Sequence, residues 1–102
     1  MPNAGYAKGR RFEYERKKWW EALGYVVLRM AGSHGFADLV ALDPTGAEPV
    51  QCIQCKVVRT DAEAKRLVKA FIQEPPLPTS IHFNQRIEVR VPRKGLWLGM
   101  AA

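Results

Sequence analysis

The stretch from Gly32 to Lys56, GSHGFADLVALDPTGAEPVQCIQCK, constrains the fold more than any other part of the chain. It reads as two strands joined by a tight turn. Phe36 to Leu42 is an apolar run broken by one carboxylate, Asp38. Asp43-Pro44-Thr45-Gly46 follows, with Asp, Pro and Gly at the first, second and fourth positions of a type I turn. Val50 to Val58 is the second strand, with Gln54 and Lys56 set among Val50, Ile53, Val57 and Val58. Side chains alternate along a strand, so Gln54 and Lys56 share a face. Pairing the two strands as a hairpin brings Asp38 close to that face. A carboxylate, an amide carbonyl oxygen and an ammonium then converge at one edge of a small sheet.

Such a set suits metal-assisted phosphodiester cleavage. Mg²⁺ takes oxygen ligands and keeps several waters. A bound metal lowers the pKa of its water and offsets phosphate charge. A nearby lysine orients the nucleophile or stabilises the transition state. A structural salt bridge between Asp38 and Lys56 accounts for the same two residues, and for such a pair taken alone it is the commoner outcome.

The rest of the chain bears on the choice. A length of 102 residues makes a single domain with one modest core, and a 47% hydrophobic content marks it as globular. No apolar run approaches the ~20 residues of a membrane span. A signal-peptide hydrophobic region is absent, so a cytoplasmic, intracellular protein with no membrane partner is expected. The net charge of +6 favours a polyanionic partner. The charge is clustered, with Lys8, Arg10, Arg11, Arg16, Lys17 and Lys18 within eleven residues. Cys52 and Cys55 spell C-x-x-C, but an odd spacing sends them to opposite sides of a strand, and no second cysteine pair exists. They read as small apolar strand residues, not a zinc or redox site.

Periodicity supplies the other elements. From Ala7 to Leu23, Phe12, Arg16, Trp19, Trp20 and Leu23 share a helical face, with Arg16 at its edge, its stem packed and its head outside. Trp19 and Trp20 are expected in the core. Gly24 stops the helix. Glu13 borders the apolar stripe, and two readings stay open: it points along the sheet toward Asp38, or it is a first-turn carboxylate favoured by the helix dipole. Tyr25 to Met30 is a strand interrupted by Arg29, and Ala31 to Gly35 is a small-residue loop in which Ser33 and His34 are placed to meet a phosphate. Thr60 and Glu63 form a capping box for a second helix, with Ala64, Leu67, Val68 and Phe71 on its apolar face. A proline-rich linker, a half-buried strand in which Ile87, Val89 and Val91 alternate with Arg86, Glu88 and Arg90, a turn, and a last strand from Leu96 to Met100 complete the chain. The last strand offers an apolar face that can pair with a second copy. The order is helix, strand, strand, strand, helix, strand, strand (αβββαββ).

Taken together, these residues resemble the archaeal-type Holliday junction resolvases of the PD-(D/E)xK nuclease superfamily. The likeness runs from Lys8 to Val58: KGRRFE at the first helix, GYVVLR eleven residues after Glu13, Gly32-Ser33 in the loop, ADLVAL in place of PD-x-x-A, and Ile53-Gln54-Cys55-Lys56 in place of I-E-x-K. The resemblance implies an α/β, restriction-endonuclease-like core with a central mixed five-stranded sheet flanked by helices. It implies a nuclease that resolves four-way DNA junctions with paired symmetric nicks, working as a homodimer with Mg²⁺, for which Mn²⁺ can substitute. By position it assigns Glu13, Asp38 and Gln54 to the metal, Ser33 to the scissile region and Lys56 to the attacking water or developing charge. Lys8, Arg10, Arg11, Ser33, His34 and Arg59 are the candidates for DNA contact. Two residues depart from the family. Ala37 stands where proline is usual, and Gln54 stands where the family has glutamate. Gln54 removes one negative charge, which lowers metal affinity or favours Mn²⁺. Three alternatives remain: a junction-binding protein that does not cut, a nuclease of the same superfamily acting on linear or nicked DNA, and a basic binding module of different fold.

Overall fold

A computed structural model describes residues 4–30, 37–74 and 83–101, with the side chains of 4–7 excepted. Helix α1 (Ala4–Ala22) leads into strands β1 (Val26–Arg29), β2 (Leu39–Leu42) and β3 (Val50–Val57). Helix α2 (Asp61–Gln73) then crosses to β4 (Phe83–Val91) and β5 (Gly95–Met100). The strands lie side by side in chain order in one five-stranded sheet. All neighbours are antiparallel except β3 and β4, which run parallel because α2 carries the chain back between them.

The expected element order holds, and local chemistry explains the boundaries. Gly24 closes α1 with a φ of 99°, a value that L side chains rarely adopt. At the β2–β3 turn, Gly46 N–H donates to the Asp43 carbonyl at 3.0 Å, and the Asp43 carboxylate accepts from Thr45 N–H and Glu48 N–H, each at 2.9 Å. Those hydrogen bonds, led by the one from the Thr45 hydroxyl, hold the Asp43 pKa below its ordinary value. Thr60 caps α2 by accepting from Glu63 N–H at 3.1 Å. The expected strand from Phe36 begins only at Leu39, and Phe36 itself lies outside the described residues. Phe83 and Asn84, unassigned from the sequence, belong to β4, while residues 79–82 and the linker prolines lie outside the described residues.

The sheet has two covered faces. Phe12 and Trp20 of α1 pack with Val27, Leu39, Ala41, Ile53 and Cys55. Ala64 and Val68 of α2 pack with Ile87, Val89 and Val91, joined by Leu67, Phe71 and Trp97. Ile53 and Cys55 stand beside Arg86 and Glu88 in the parallel register, so those β4 side chains lie under α1, while Ile87 and Val89 point to α2. Helix α2 comes close to β5 because Gly99 has no side chain: a Cβ there would sit 2.8 Å from Val68 Cγ1 and 3.2 Å from Ile87 Cγ2.

Three expectations about the core are corrected. Arg16 is not at the edge with its head in water. It is buried, and its Nε donates to Glu88 Oε1 at 2.7 Å, its second nitrogen to Oε2 at 3.2 Å. Glu88 is not on a solvated face, because β4 is an internal strand and α1 covers that side. Trp20 Nε1 is its third donor, at 3.2 Å. Only one of the paired tryptophans is in the core. Trp20 is 5% exposed, whereas Trp19 is 45% exposed with the Arg16 guanidinium over its ring. Leu23, at 58%, also lies outside the apolar face.

The buried pair yields a stability prediction. Arg16→Ala leaves the Glu88 carboxylate unpaired and should cost about 3–5 kcal/mol. The double change Arg16→Met with Glu88→Leu should recover most of that loss. Urea titration of the parent and both variants measures this; an Arg16→Ala chain as stable as the parent contradicts it.

Candidate functional site

The central hairpin positions the candidate residues by register. Leu39 pairs with Ile53 and Val40 with Cys52. Asp38 N–H donates to the Ile53 carbonyl at 2.8 Å, one residue out of step with the Leu39–Ile53 pair, and its own carbonyl accepts from Met30 N–H at 2.8 Å. Asp38 therefore lies where β2 leaves the regular ladder with β3. Leu39 and Ile53 face α1, so Gln54 and Lys56 share the opposite face. Helix α2 packs over the β4–β5 part of that face, leaving Lys56 exposed and Asp38 and Gln54 half-buried.

The Asp38 carboxylate is anchored by the backbone. Its Oδ2 accepts from Cys55 N–H at 2.8 Å. A charged acceptor makes this a strong hydrogen bond and gives the carboxylate one orientation. Among the described residues no ion pair joins Asp38 to Lys56, so the salt-bridge reading of the two is set aside.

Glu13 approaches from the helix side. It is not a first-turn residue, because α1 already begins at Ala4. Its Oε1 accepts from Arg29 Nε at 2.9 Å, and the Arg29 guanidinium also lies 4.9 Å from the Tyr14 ring centre. Burial pushes the Glu13 pKa up, the Asp38 charge adds to the rise, and Arg29 and, more weakly, Lys56 oppose it. Asp38 and Lys56 thus both act electrostatically on Glu13. Arg29 is the participant that the sequence did not identify. The signal was a single cation in an otherwise apolar strand beside a helix carrying a carboxylate.

The remaining candidates divide. Lys8, Arg10 and Arg11 are exposed on α1, and Arg59 is exposed just after β3. Ser33 and His34 lie outside the described residues. Cys52 and Cys55 are free and buried, and burial pushes both thiols up, which makes them poor nucleophiles and poor ligands.

For a metal, the donor chemistry is spare. Among the described residues no group of three His, Cys, Asp or Glu side chains is placed to hold an ion. Glu13, Asp38 and the amide oxygen of Gln54 remain, all hard oxygen donors. They fit a cation that draws few ligands from protein and the rest from water, as Mg²⁺ does. The repulsion between Glu13 and Asp38 is what a cation would relieve.

That repulsion can be measured. In a ¹³C NMR titration Glu13 should protonate above the usual glutamate range. Asp38→Asn removes a neighbouring negative charge, favours the ionised form and should move the Glu13 midpoint down. A midpoint indifferent to Asp38→Asn would show that the two carboxylates do not interact.

No protein-family model matches the chain, and no curated protein sequence matches it. Its structure is similar to that of Archaeoglobus fulgidus Hjc, a Holliday junction resolvase from an archaeal hyperthermophile, with a TM-score of 0.55 and 18% sequence identity. The match covers 90% of this chain and 71% of that one. At that identity the likeness is one of fold. The α/β architecture, a mixed five-stranded sheet flanked by two helices, is the restriction-endonuclease-like arrangement expected from the sequence.

Proposed function

We propose that this chain is a metal-dependent endonuclease that resolves four-way DNA junctions by phosphodiester hydrolysis. One observation carries the reading: the Asp38 carboxylate is fixed by the N–H of Cys55, the residue between Gln54 and Lys56 on β3. The fold likeness to a Holliday junction resolvase and the net charge of +6 support it.

In this reading Asp38 and Gln54 hold a Mg²⁺ ion, with Glu13 binding it or its waters; Mn²⁺ can take its place. When bound, the ion supplies an activated water and offsets charge on the phosphate. Lys56 orients that water or stabilises the charge that develops on the phosphate oxygens. The anchored Asp38 carboxylate needs no reorganisation when substrate arrives. Ser33, His34, Arg10 and Arg59 contact the strand. A symmetric junction suits a two-fold protein, so the active species is a homodimer working on DNA inside the cell.

A second reading is favoured by the charge of the site. Glu13 is paired with Arg29 and Gln54 is neutral, so Asp38 is the one candidate carboxylate without a cation beside it among the described residues. In that reading the protein binds junctions and does not cut them.

Cleavage of an end-labelled immobile junction, with Mg²⁺ and then Mn²⁺ and beside a matched duplex, separates the two. The first reading expects paired nicks in the junction alone. Asp38→Ala and Lys56→Ala should each lower the rate at least ~100-fold while leaving the melting curve in place. Gln54→Glu should lower the metal concentration needed. Tight binding without nicks in the parent, together with nicking by Gln54→Glu, would establish the second reading. Full cleavage by Asp38→Ala would remove both.

A further inference from the structure

A cavity of about 260 Å³ opens on the α1 side of the sheet, away from the face that carries Gln54 and Lys56. Lys8, Arg11 and Glu15 of α1 form one wall, and Phe12, Val57, Arg90 and Pro92 form the floor and the far wall. Three cations stand against one carboxylate. The carboxylate is committed: Glu15 Oε2 accepts from Arg90 at 2.5 Å. The Arg90 guanidinium also lies 5.3 Å from the Phe12 ring centre. Arg90 is thus held in place, with donors left for a ligand, since a guanidinium carries five N–H groups. Among the described residues Lys8 and Arg11 have no ion-pair partner.

Position gives a second argument. Val57 ends β3, and Arg90 and Pro92 flank the end of β4, so the cavity sits at the carboxyl ends of the parallel pair. Open α/β sheets bind ligands there. Lys56 is the residue before Val57 and points to the other face. The cavity therefore adjoins the strand end that carries Lys56.

We infer that this cavity is a phosphate-binding subsite, formed by Lys8, Arg11 and the Glu15-braced Arg90, that holds a backbone phosphate of a nucleic acid strand running off the reactive centre. The inference rests on the nuclease reading for the strand, but the cavity's anion chemistry stands apart from it. Arg90 supplies the fixed direction, Lys8 and Arg11 close over the phosphate, and Phe12 and Val57 keep the floor dry. The contact is to backbone, so it adds affinity without reading sequence.

Two measurements test it. The first is binding of labelled junction and duplex DNA across a range of NaCl in EDTA, which removes cleavage from the readout. The parent is compared with a Lys8→Ala, Arg11→Ala double variant and with a Lys65→Ala, Lys69→Ala double variant, which loses the same charge from α2. The cavity variant should flatten the log–log salt dependence by about 0.9, the contribution of the one phosphate that the subsite holds. Its affinity should fall ~10-fold or more at moderate salt, with melting unchanged, while the α2 variant stays near the parent. The second is an NMR titration with inorganic phosphate, in which the Arg11 and Arg90 side-chain Nε signals should shift together. Equal salt slopes for the two variants, with no phosphate shift at Arg11 or Arg90, overturn the subsite. A phosphate shift in a parent that binds no DNA sustains the subsite for a small phosphate ligand and overturns the nuclease reading. Loss of cleavage in Asp38→Ala with the salt slope retained places the two functions in separate residues, as inferred.

Discussion

The buried contact of Arg16 with Glu88 organises this fold. Two guanidinium nitrogens and the Trp20 indole N–H converge on one carboxylate within β4, an internal strand. A buried ion pair gains little net stability over an apolar replacement, because desolvation offsets the attraction. What it gives is geometry. A helix lying on apolar residues alone can slide or rotate at small cost, whereas one pinned through a directional three-donor contact cannot. With Arg16 fixed, helical spacing sends Glu13 toward Arg29 on β1 and Glu15 toward Arg90 on β4. One contact thus sets both flanks of α1.

The flanks differ in electrostatic character. On the β1 side, Glu13 is held between an attractive cation and a repulsive carboxylate, and burial sharpens both effects. On the β4 side, cations outnumber carboxylates around an open cavity. The hairpin between them contributes the anchored Asp38. A helix, a hairpin and a parallel crossover together place the acidic and basic groups on different flanks of α1. That separation is useful to any protein that must hold a polyanion and act on it at one point.

Much of this was legible in the sequence, and the failures have physical causes. Turn chemistry at Asp43 to Gly46, the Thr60 capping box and the alternation of Gln54 with Ile53 and Cys55 are local signals, and each appears where expected. Arg16 and Glu88 were misplaced because charge on a stripe or strand reads as solvent-facing until its partner is known. Arg16 and Glu88 are 72 positions apart, and nothing in either neighbourhood names the other. Trp19 and Trp20 are adjacent on a helix and cannot both face the sheet; the sequence alone does not choose between them. The Asp38–Cys55 hydrogen bond was also hidden, since it depends on where β2 stops.

The pairing of β2 with β3 carries one more consequence. Leu39 and Ile53, fully buried, alternate with Val40 and Gln54 on the other side of the same two strands. A slip of β3 by one residue would put apolar side chains toward water and the Gln54 amide under α1. Strand slippage thus cannot spoil the arrangement of polar groups without also dismantling the core. Variation at this locus is partitioned accordingly: a chain that loses its chemistry yet melts normally has changed an atom, and one that has changed its alignment has stopped folding.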